Sequence, residues 1–230
     1  MLIVLTTVFY GLIAATRALA QGNDLPTLIA DGPFALRVKG RCNSSIDGYL
    51  RAVDVFSFDT PQAVLHYNPT SAPVADNSSY RFYFNHTGST QSADGYELGF
   101  MASDITVGEP NGVGLMGKAA SLQYRPNTNV AVVAFGAYAT TVDYTGFGRD
   151  GKAFLNYYTN DADTLPEQPA NVSLSINYCE YTCVRSWRYD GWAICWQTYY
   201  AVTGPTLSWI TTGKPHNPTC VRVDLLKAEL

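Results

Sequence analysis

The chain has little charge, few histidines and no catalytic motif. Only 15% of its 230 residues are charged, and three are histidine. It contains no Gly-x-Ser-x-Gly nucleophile elbow, no glycine-rich phosphate loop between a strand and a helix, and no E-x-D-x-E carboxylate pattern. We therefore expect no cofactor, and the sequence does not identify a reaction.

The charge balance argues against two classes of partner. If Arg17 is removed with a leader, 14 basic and 19 acidic residues remain, for a net charge of −5. A mildly acidic chain has no basic surface for nucleic acid or anionic lipid. We therefore expect no nucleic-acid partner, and no membrane partner once the leader is cleaved.

The N-terminus has the pattern of a secretory signal. An apolar run at 2–15 is too short to cross a bilayer comfortably, and it precedes Ala18-Leu19-Ala20, the small-x-small pattern of signal cleavage. An uncleaved signal anchor is the alternative. We predict a signal peptide at 1–20 and a single extracellular domain at 21–230.

Asparagine sequons support export. Four sites fit N-x-[ST] without an intervening proline, namely Asn43, Asn77, Asn85 and Asn171. With the leader, they predict a secreted eukaryotic glycoprotein. They also predict four loops or outward-facing strand positions.

Five cysteines in an oxidising compartment should pair, with one left over. Cys195 with Cys220 is the first choice. Two of Cys42, Cys179 and Cys183 also pair in this interpretation, and which two stays open.

A zinc site at Cys179-x3-Cys183 is a rival that lacks further ligands at the usual spacing. A loose calcium site at 160–163 lacks the glycine and distal glutamate of a calcium loop, so we expect no metal.

The hydrophobic pattern is typical of short strands. We predict strands at 34–39, 49–58, 63–67, 80–84, 96–101, 130–135, 153–158, 172–178, 192–200, 206–210 and 219–226. The run at 130–135 is continuously apolar, which predicts a strand buried on both faces. Turn signals separate the strands at Asp47-Gly48, Asp94-Gly95, Asn111-Gly112, Asp150-Gly151 and Asp190-Gly191. The fold class is therefore all-β: a single-domain β-sandwich or jelly roll of about eleven short antiparallel strands, with a closed β-barrel as the alternative.

A C-terminal block resembles a known family. Asp190-Gly-Trp-Ala-Ile-Cys195, Leu207-Ser-Trp209 and Pro218-Thr-Cys220-Val-Arg-Val-Asp-Leu-Leu226 are similar to the end of a family of small secreted fungal proteins, some labelled "IgE-binding protein". The spacing of Phe34, Leu36 and Val38 also fits the start of those proteins. The resemblance covers about a quarter of the chain. It implies a secreted β-rich domain, a Cys195–Cys220 disulfide and no established activity.

Aromatic side chains offer the clearest binding hypothesis, because their faces suit the apolar faces of sugar rings. If 219–226 is a strand, Val221 and Val223 face the core while Cys220 points away. A cross-strand disulfide then turns Cys195 outward and Trp192, Ile194 and Trp196 inward. We predict that Trp196 is more than about 80% buried. The remaining ligand-binding candidates are Trp187, Tyr189, Tyr199 and Trp209.

The sequence favours a non-catalytic extracellular binding or cell-surface structural protein of unknown specific activity, whose partner is an extracellular glycan or cell-wall polysaccharide. The alternative is a secreted glycoside hydrolase that uses paired carboxylates. Glu97 is the one glutamate in a predicted strand, and Glu109 or Asp143 could pair with it. We interpret His66 as a partly buried, hydrogen-bonded strand residue and not as a catalytic base.

Overall fold

The structure, a computed structural model, describes residues 27–55, 62–70, 72–92, 95–103, 105–107, 113–114, 118–124, 127–136, 144–156, 188–211 and 213–230. The predicted leader and the predicted strand at 172–178 lie outside these ranges. The described ranges contain fifteen β-strands and a 3-10 turn at Ser78–Tyr80. The strands are β1 (Ile29–Gly40), β2 (Asp47–Val55), β3 (Gln62–Asn68), β4 (Phe82–Gln91), β5 (Glu97–Ser103), β6 (Thr106–Val107), β7 (Val113–Gly114), β8 (Lys118–Gln123), β9 (Val130–Phe135), β10 (Thr145–Phe147), β11 (Ala153–Asn156), β12 (Arg188–Tyr189), β13 (Trp192–Tyr199), β14 (Val202–Ile210) and β15 (Val221–Ala228).

Thirteen of the strands form one antiparallel network that folds into two sheets, while β6 and β7 pair separately. Sheet A contains the start of β1 with β4, β5, β10, β11 and β12. Sheet B contains the rest of β1 with β2, β3, β9, β13, β14, β15 and most of β8. The two sheets share β1 and β8, so the network is continuous at both corners. Corner strands of this kind are a feature of sheets packed across each other.

Strand β1 changes sheets at a bulge. Before the bulge it pairs with β4, and from Ala35 onward it pairs with β15. The pairing register shifts between Asp31 and Phe34. Gly32 lies there at φ 142°, and a Cβ on it would come within 2.8 Å of the Phe82 carbonyl oxygen. Glycine is therefore required for β1 to turn this corner.

The main hydrophobic core lies between the two sheets. It is built from alternate residues of most strands, since successive side chains of a strand point to opposite faces. Its large fully buried members include Leu36, Leu50, Leu65, Phe82, Met101, Phe135, Trp192, Leu207 and Leu225. The predicted all-β sandwich is confirmed.

Strand β9 is buried on both faces, as its apolar run predicted. Ala131, Val133 and Phe135 belong to the main core. Val132 and Ala134 point the other way, into a second apolar cluster that includes Tyr199. Sheet B therefore has apolar cover on its outer face as well, which explains why β9 has no polar alternation.

An ion network joins the two sheets near the start of β15. The side chain of Arg41 is 7% exposed; its Nε donates to Asp224 Oδ1 at 2.8 Å, and its Nη2 donates to Asp190 Oδ2 at 2.8 Å. Lys152 Nζ lies 3.0 Å from Asp224 Oδ2, and this hydrogen bond raises the pKa of Lys152. Removing one partner of a buried charged group costs about 3–5 kcal/mol. We therefore expect Arg41 to hold the Asp190-Gly191 link in place.

Two local predictions were wrong. Asp47-Gly48 begins β2, and the turn lies earlier, at 44–45, where Asn43 Oδ1 accepts hydrogen bonds from Ser45 N and Oγ. An asparagine can build such a turn with its own side chain, which an Asp-Gly search overlooks. Asn85 is not at an outward-facing position either: it lies inside β4 and is 4% exposed.

Candidate ligand-binding hairpin

The Cys195–Cys220 disulfide is present as predicted. Both cysteines lie on the outer face of sheet B, in a small buried cluster with Ala193. Trp192 and Ile194 face the main core, as strand parity predicted. Cys42 is disulfide-bonded as well, and its partner lies outside the described residues.

Trp196 contradicts the prediction that it is buried. Its exposed fraction is 60%, the largest among the exposed large hydrophobic residues of the described ranges. Trp196 lies on the same face of β13 as Trp192, but β13 pairs with β15 only up to Ile194. Beyond that point β13 continues with β14 alone, as far as Tyr199. The core-facing row therefore runs past the core, and Trp196 is exposed at the end of the β13–β14 hairpin. We define residues 196–205 as the hairpin tip.

The backbone of Trp196 is held on both sides. Its carbonyl oxygen accepts from Asn217 Nδ2 at 3.0 Å and from Thr219 Oγ1 at 3.1 Å, and its amide donates to Thr219 Oγ1 at 2.9 Å. Asn217 Oδ1 in turn accepts from the Thr219 amide at 3.0 Å. The preceding residue, Cys195, is held by its disulfide bond to Cys220. This clamp fixes the backbone that carries the exposed indole.

The end of the hairpin tip carries a second exposed aromatic residue. Tyr200 is 53% exposed and has φ 49°, a left-handed conformation that a tyrosine rarely adopts. Its ring meets the ring of Tyr199 edge-on, with 4.8 Å between centroids. Backbone strain of this kind costs about 1–3 kcal/mol and clusters at ligand-contacting sites. The exposed hydroxyls of Thr198 and Thr203, which pair across β13 and β14, lie 2.9 Å apart.

Two of the four predicted ligand residues are core residues instead. Tyr199 is 6% exposed and donates its hydroxyl hydrogen to Gln62 Oε1 at 3.1 Å. Trp209 is 2% exposed and packs edge-on against Trp192, with 4.8 Å between ring centroids. Trp209 is buried because it pairs with Trp192 and faces the main core. Tyr199 points away from that core but is buried in the second apolar cluster, which covers the outer face of sheet B. Trp187 and the side chain of Tyr189 lie outside the described residues.

His66 lies half-buried in β3, near the base of the hairpin, opposite Arg51 and Thr206. Burial lowers the pKa of His66, and the positive charge of Arg51 lowers it further. The partly buried position was predicted. The predicted hydrogen bond is not made by Nε2 of His66, which has no hydrogen-bond partner among the described residues.

Of the three predicted hydrolase carboxylates, only Glu97 lies in the described ranges. Its Oε1 is 2.5 Å from Nδ1 of His86, and Asp31 Oδ2 is 3.5 Å from the other ring nitrogen of that histidine. One imidazole ring therefore occupies the space between the two carboxylates. His86 is the middle residue of the Asn85 sequon. Its burial results from the pairing of β4 with β1 and β5, which the sequence pattern did not predict.

The predicted zinc pair and the loose calcium loop lie outside the described ranges. Within those ranges no helix has the length and apolar character needed to cross a membrane. A comparison of the chain with protein-family models, curated proteins and solved structures finds no match.

Proposed function

We propose that the protein is a secreted, non-catalytic binding protein that holds an extracellular glycan, of the kind found in cell-wall polysaccharides, against the hairpin tip. The observation that carries the proposal is the exposure of Trp196 on a fixed backbone. A large exposed aromatic ring costs solvation free energy unless a ligand covers it. An indole face fits the apolar face of a pyranose ring.

The hairpin tip supplies the other parts of such a site. Tyr200 adds a second exposed ring, at the turn that follows β13. Thr198 and Thr203 add exposed hydroxyl groups, which can exchange hydrogen bonds with sugar hydroxyls. Because the clamp already orders the backbone of Trp196, binding loses little backbone entropy there.

Secretion is part of the proposal. The leader pattern at 1–20 and the Cys195–Cys220 disulfide both fit an oxidising, extracellular location. The sequons at Asn43 and Asn77 lie in exposed turns, where glycans can be carried without disturbing the sheets. The resemblance to small secreted fungal proteins points the same way.

We do not extend the proposal to hydrolysis. A glycosidase needs two carboxylates on either side of a bond that substrate can reach. At Asp31 and Glu97 that space holds the ring of His86.

A depletion assay with insoluble polysaccharides tests the proposal. The secreted protein is incubated with chitin, cellulose and β-1,3-glucan, and the unbound fraction is measured. We expect binding to at least one polymer, weakened about tenfold or more by Trp196→Ala and by Tyr200→Ala, since each 1.4 kcal/mol of lost contact is a factor of ten.

Tyr144→Ala is the matched control, because Tyr144 is similarly exposed, at 49%, but lies outside the hairpin tip, immediately before β10 of sheet A. It should bind like the wild type. No binding to any polymer, or equal losses in Tyr144→Ala and Trp196→Ala, would overturn the proposal.

A further inference from the structure

A buried histidine closes the end of the core opposite the hairpin tip. His86 follows Phe82 and Phe84 on the core-facing side of β4, and it stacks on Phe84 with 5.2 Å between ring centroids. Its side chain is 7% exposed. Gly99 on β5 lies opposite, and a Cβ there would come within 2.9 Å of His86 Cβ, so glycine is needed to seat the ring.

Two half-exposed carboxylates flank this ring on the same face. In register, His86 pairs with Ile29 on β1 and with Gly99 on β5, so Asp31 and Glu97 are its diagonal neighbours on either side. Diagonal neighbours lie within reach of long side chains. Their side chains are 49% and 39% exposed, which leaves a path from solvent to the buried ring.

The arrangement leaves the ring nitrogens without proper hydrogen bonds. Neither Nδ1 nor Nε2 of His86 has a partner of acceptable geometry, although Nδ1 is 2.5 Å from Glu97 Oε1. Nδ1 faces the Glu97 carboxylate on one side of the ring, and Nε2 faces Asp31 Oδ2 at 3.5 Å on the other. A buried unsatisfied group of this kind calls for an ion or a proton between them.

We propose that Nε2 of His86 and the carboxylate of Asp31 are the two protein ligands of a divalent transition-metal ion, with Glu97 as the carboxylate that orients the histidine. Two ligands of a tetrahedral zinc ion at 2.0–2.2 Å are roughly 3.4 Å apart, close to the observed 3.5 Å. Metal-binding histidines usually donate their other ring N–H to a carboxylate. Imidazole and carboxylate together suit Zn²⁺ and Cu²⁺.

Among the described residues, no three His, Cys, Asp or Glu side chains form a group able to hold a metal ion, so the proposed site has two protein ligands. Its remaining coordination positions would be left to water or to a ligand entering past the half-exposed carboxylates. The inference is independent of glycan binding at the hairpin tip.

Calorimetric titration of the full secreted protein with ZnCl₂ and with CuCl₂ tests the inference. We expect one saturable site per chain. Asp31→Asn, at a half-exposed residue, should weaken binding at least tenfold, and Glu97→Gln should weaken it about 10–100-fold. His86→Gln should abolish it. Thermal unfolding of each variant without metal reports whether it still folds.

Two controls separate this site from adventitious binding. His216→Gln removes an exposed histidine, and Asp76→Asn removes an exposed carboxylate; both should bind like the wild type. In the wild type, the Nε2 resonance of His86 should shift with zinc. Absence of saturable binding, which leaves only a proton between Nε2 and Asp31, would overturn the inference. Loss of binding in His216→Gln with none in Asp31→Asn would overturn it too.

Discussion

The two ends of the sandwich differ in what they expose and what they bury. Near the start of β15, the hairpin tip exposes 60% of Trp196, an apolar residue. Beyond the end of β15, the corner of β1 brings Asp31 to His86, a polar residue whose side chain is 7% exposed. Exposed apolar surface and buried polar groups are the unusual cases in a folded protein, so they are the informative ones. Each end departs from the ordinary pattern in the opposite sense, and we propose a ligand of different chemistry for each.

The largest effect should separate two tryptophans of one strand. Trp192→Ala removes a fully buried ring that donates to the Ala153 carbonyl at 2.8 Å, and it should cost about 3–5 kcal/mol in the free energy of unfolding. Trp196→Ala should change that free energy by no more than about 0.5 kcal/mol. Urea denaturation of both variants measures the contrast. Similar losses in the two would mean that β13 does not leave the core after Ile194.

The disulfide should matter next. Replacing Cys195 and Cys220 by alanine opens a loop with a sequence separation of 25 and should cost about 3.5 kcal/mol. The same double variant should weaken polysaccharide binding, because Trp196 loses one of its two supports. Equilibrium unfolding and the depletion assay check both parts. A stable double variant that binds polysaccharide normally would show that the disulfide does not organise the hairpin tip.

The clamp residue should have a smaller effect. Asn217→Ala removes the hydrogen bond to the Trp196 carbonyl and the acceptor of the Thr219 amide, and should cost about 1–2 kcal/mol. Thr198→Val is the control, since its hydroxyl bonds only within the exposed tip, and it should cost less than about 0.5 kcal/mol. Denaturation curves of the two variants decide the order. A larger loss of stability in Thr198→Val than in Asn217→Ala would show that the clamp does not hold the Trp196 backbone.

The smallest effect concerns pH at the base of the hairpin. The pKa of His66 is lowered in the folded protein by burial and by Arg51, so folding favours the neutral ring. Its contribution to stability is complete above the unfolded value, about 6.5, and is lost as the pH falls from there through the folded pKa. The free energy of unfolding should therefore drop less between pH 7.5 and 5.5 in His66→Gln than in the wild type.

His216→Gln, at an exposed histidine, serves as the control for this pH effect and should follow the wild-type curve. The pKa of Asp47 is lowered by its hydrogen bond with Arg37, so its effect appears only below pH 3.8 and does not overlap. Parallel curves for His66→Gln and the wild type would contradict the expectation.

Local patterns predicted the parts of the fold that depend on a single strand. The continuous run at 130–135 predicted burial on both faces, and the alternation along β15 predicted which residues face the core. Both follow from the two-residue period of a strand. The disulfide was also predicted correctly.

The errors concern long-range relations that strand parity does not contain. Strand parity predicts which face of the sheet Trp196 occupies. It does not predict that the pairing of β13 with β15 ends at Ile194. The Tyr200-Ala201 turn has no glycine or asparagine, so no turn signal marks the end of the hairpin. His86 becomes a site only when β1 and β5 bring Asp31 and Glu97 to either side of it.

The most direct test of the hairpin tip is ¹⁹F NMR of the protein labelled with fluorotryptophan, with each signal assigned by a Trp→Phe variant. The Trp196 signal should show a solvent-isotope shift in D₂O and should move on titration with a soluble oligosaccharide of the bound polymer. The signals of buried Trp192 and Trp209 should do neither. A Trp196 signal that is insensitive to solvent would contradict the proposed ligand contact at the hairpin tip. So would a Trp196 signal that stays fixed while the signal of a buried tryptophan moves with ligand.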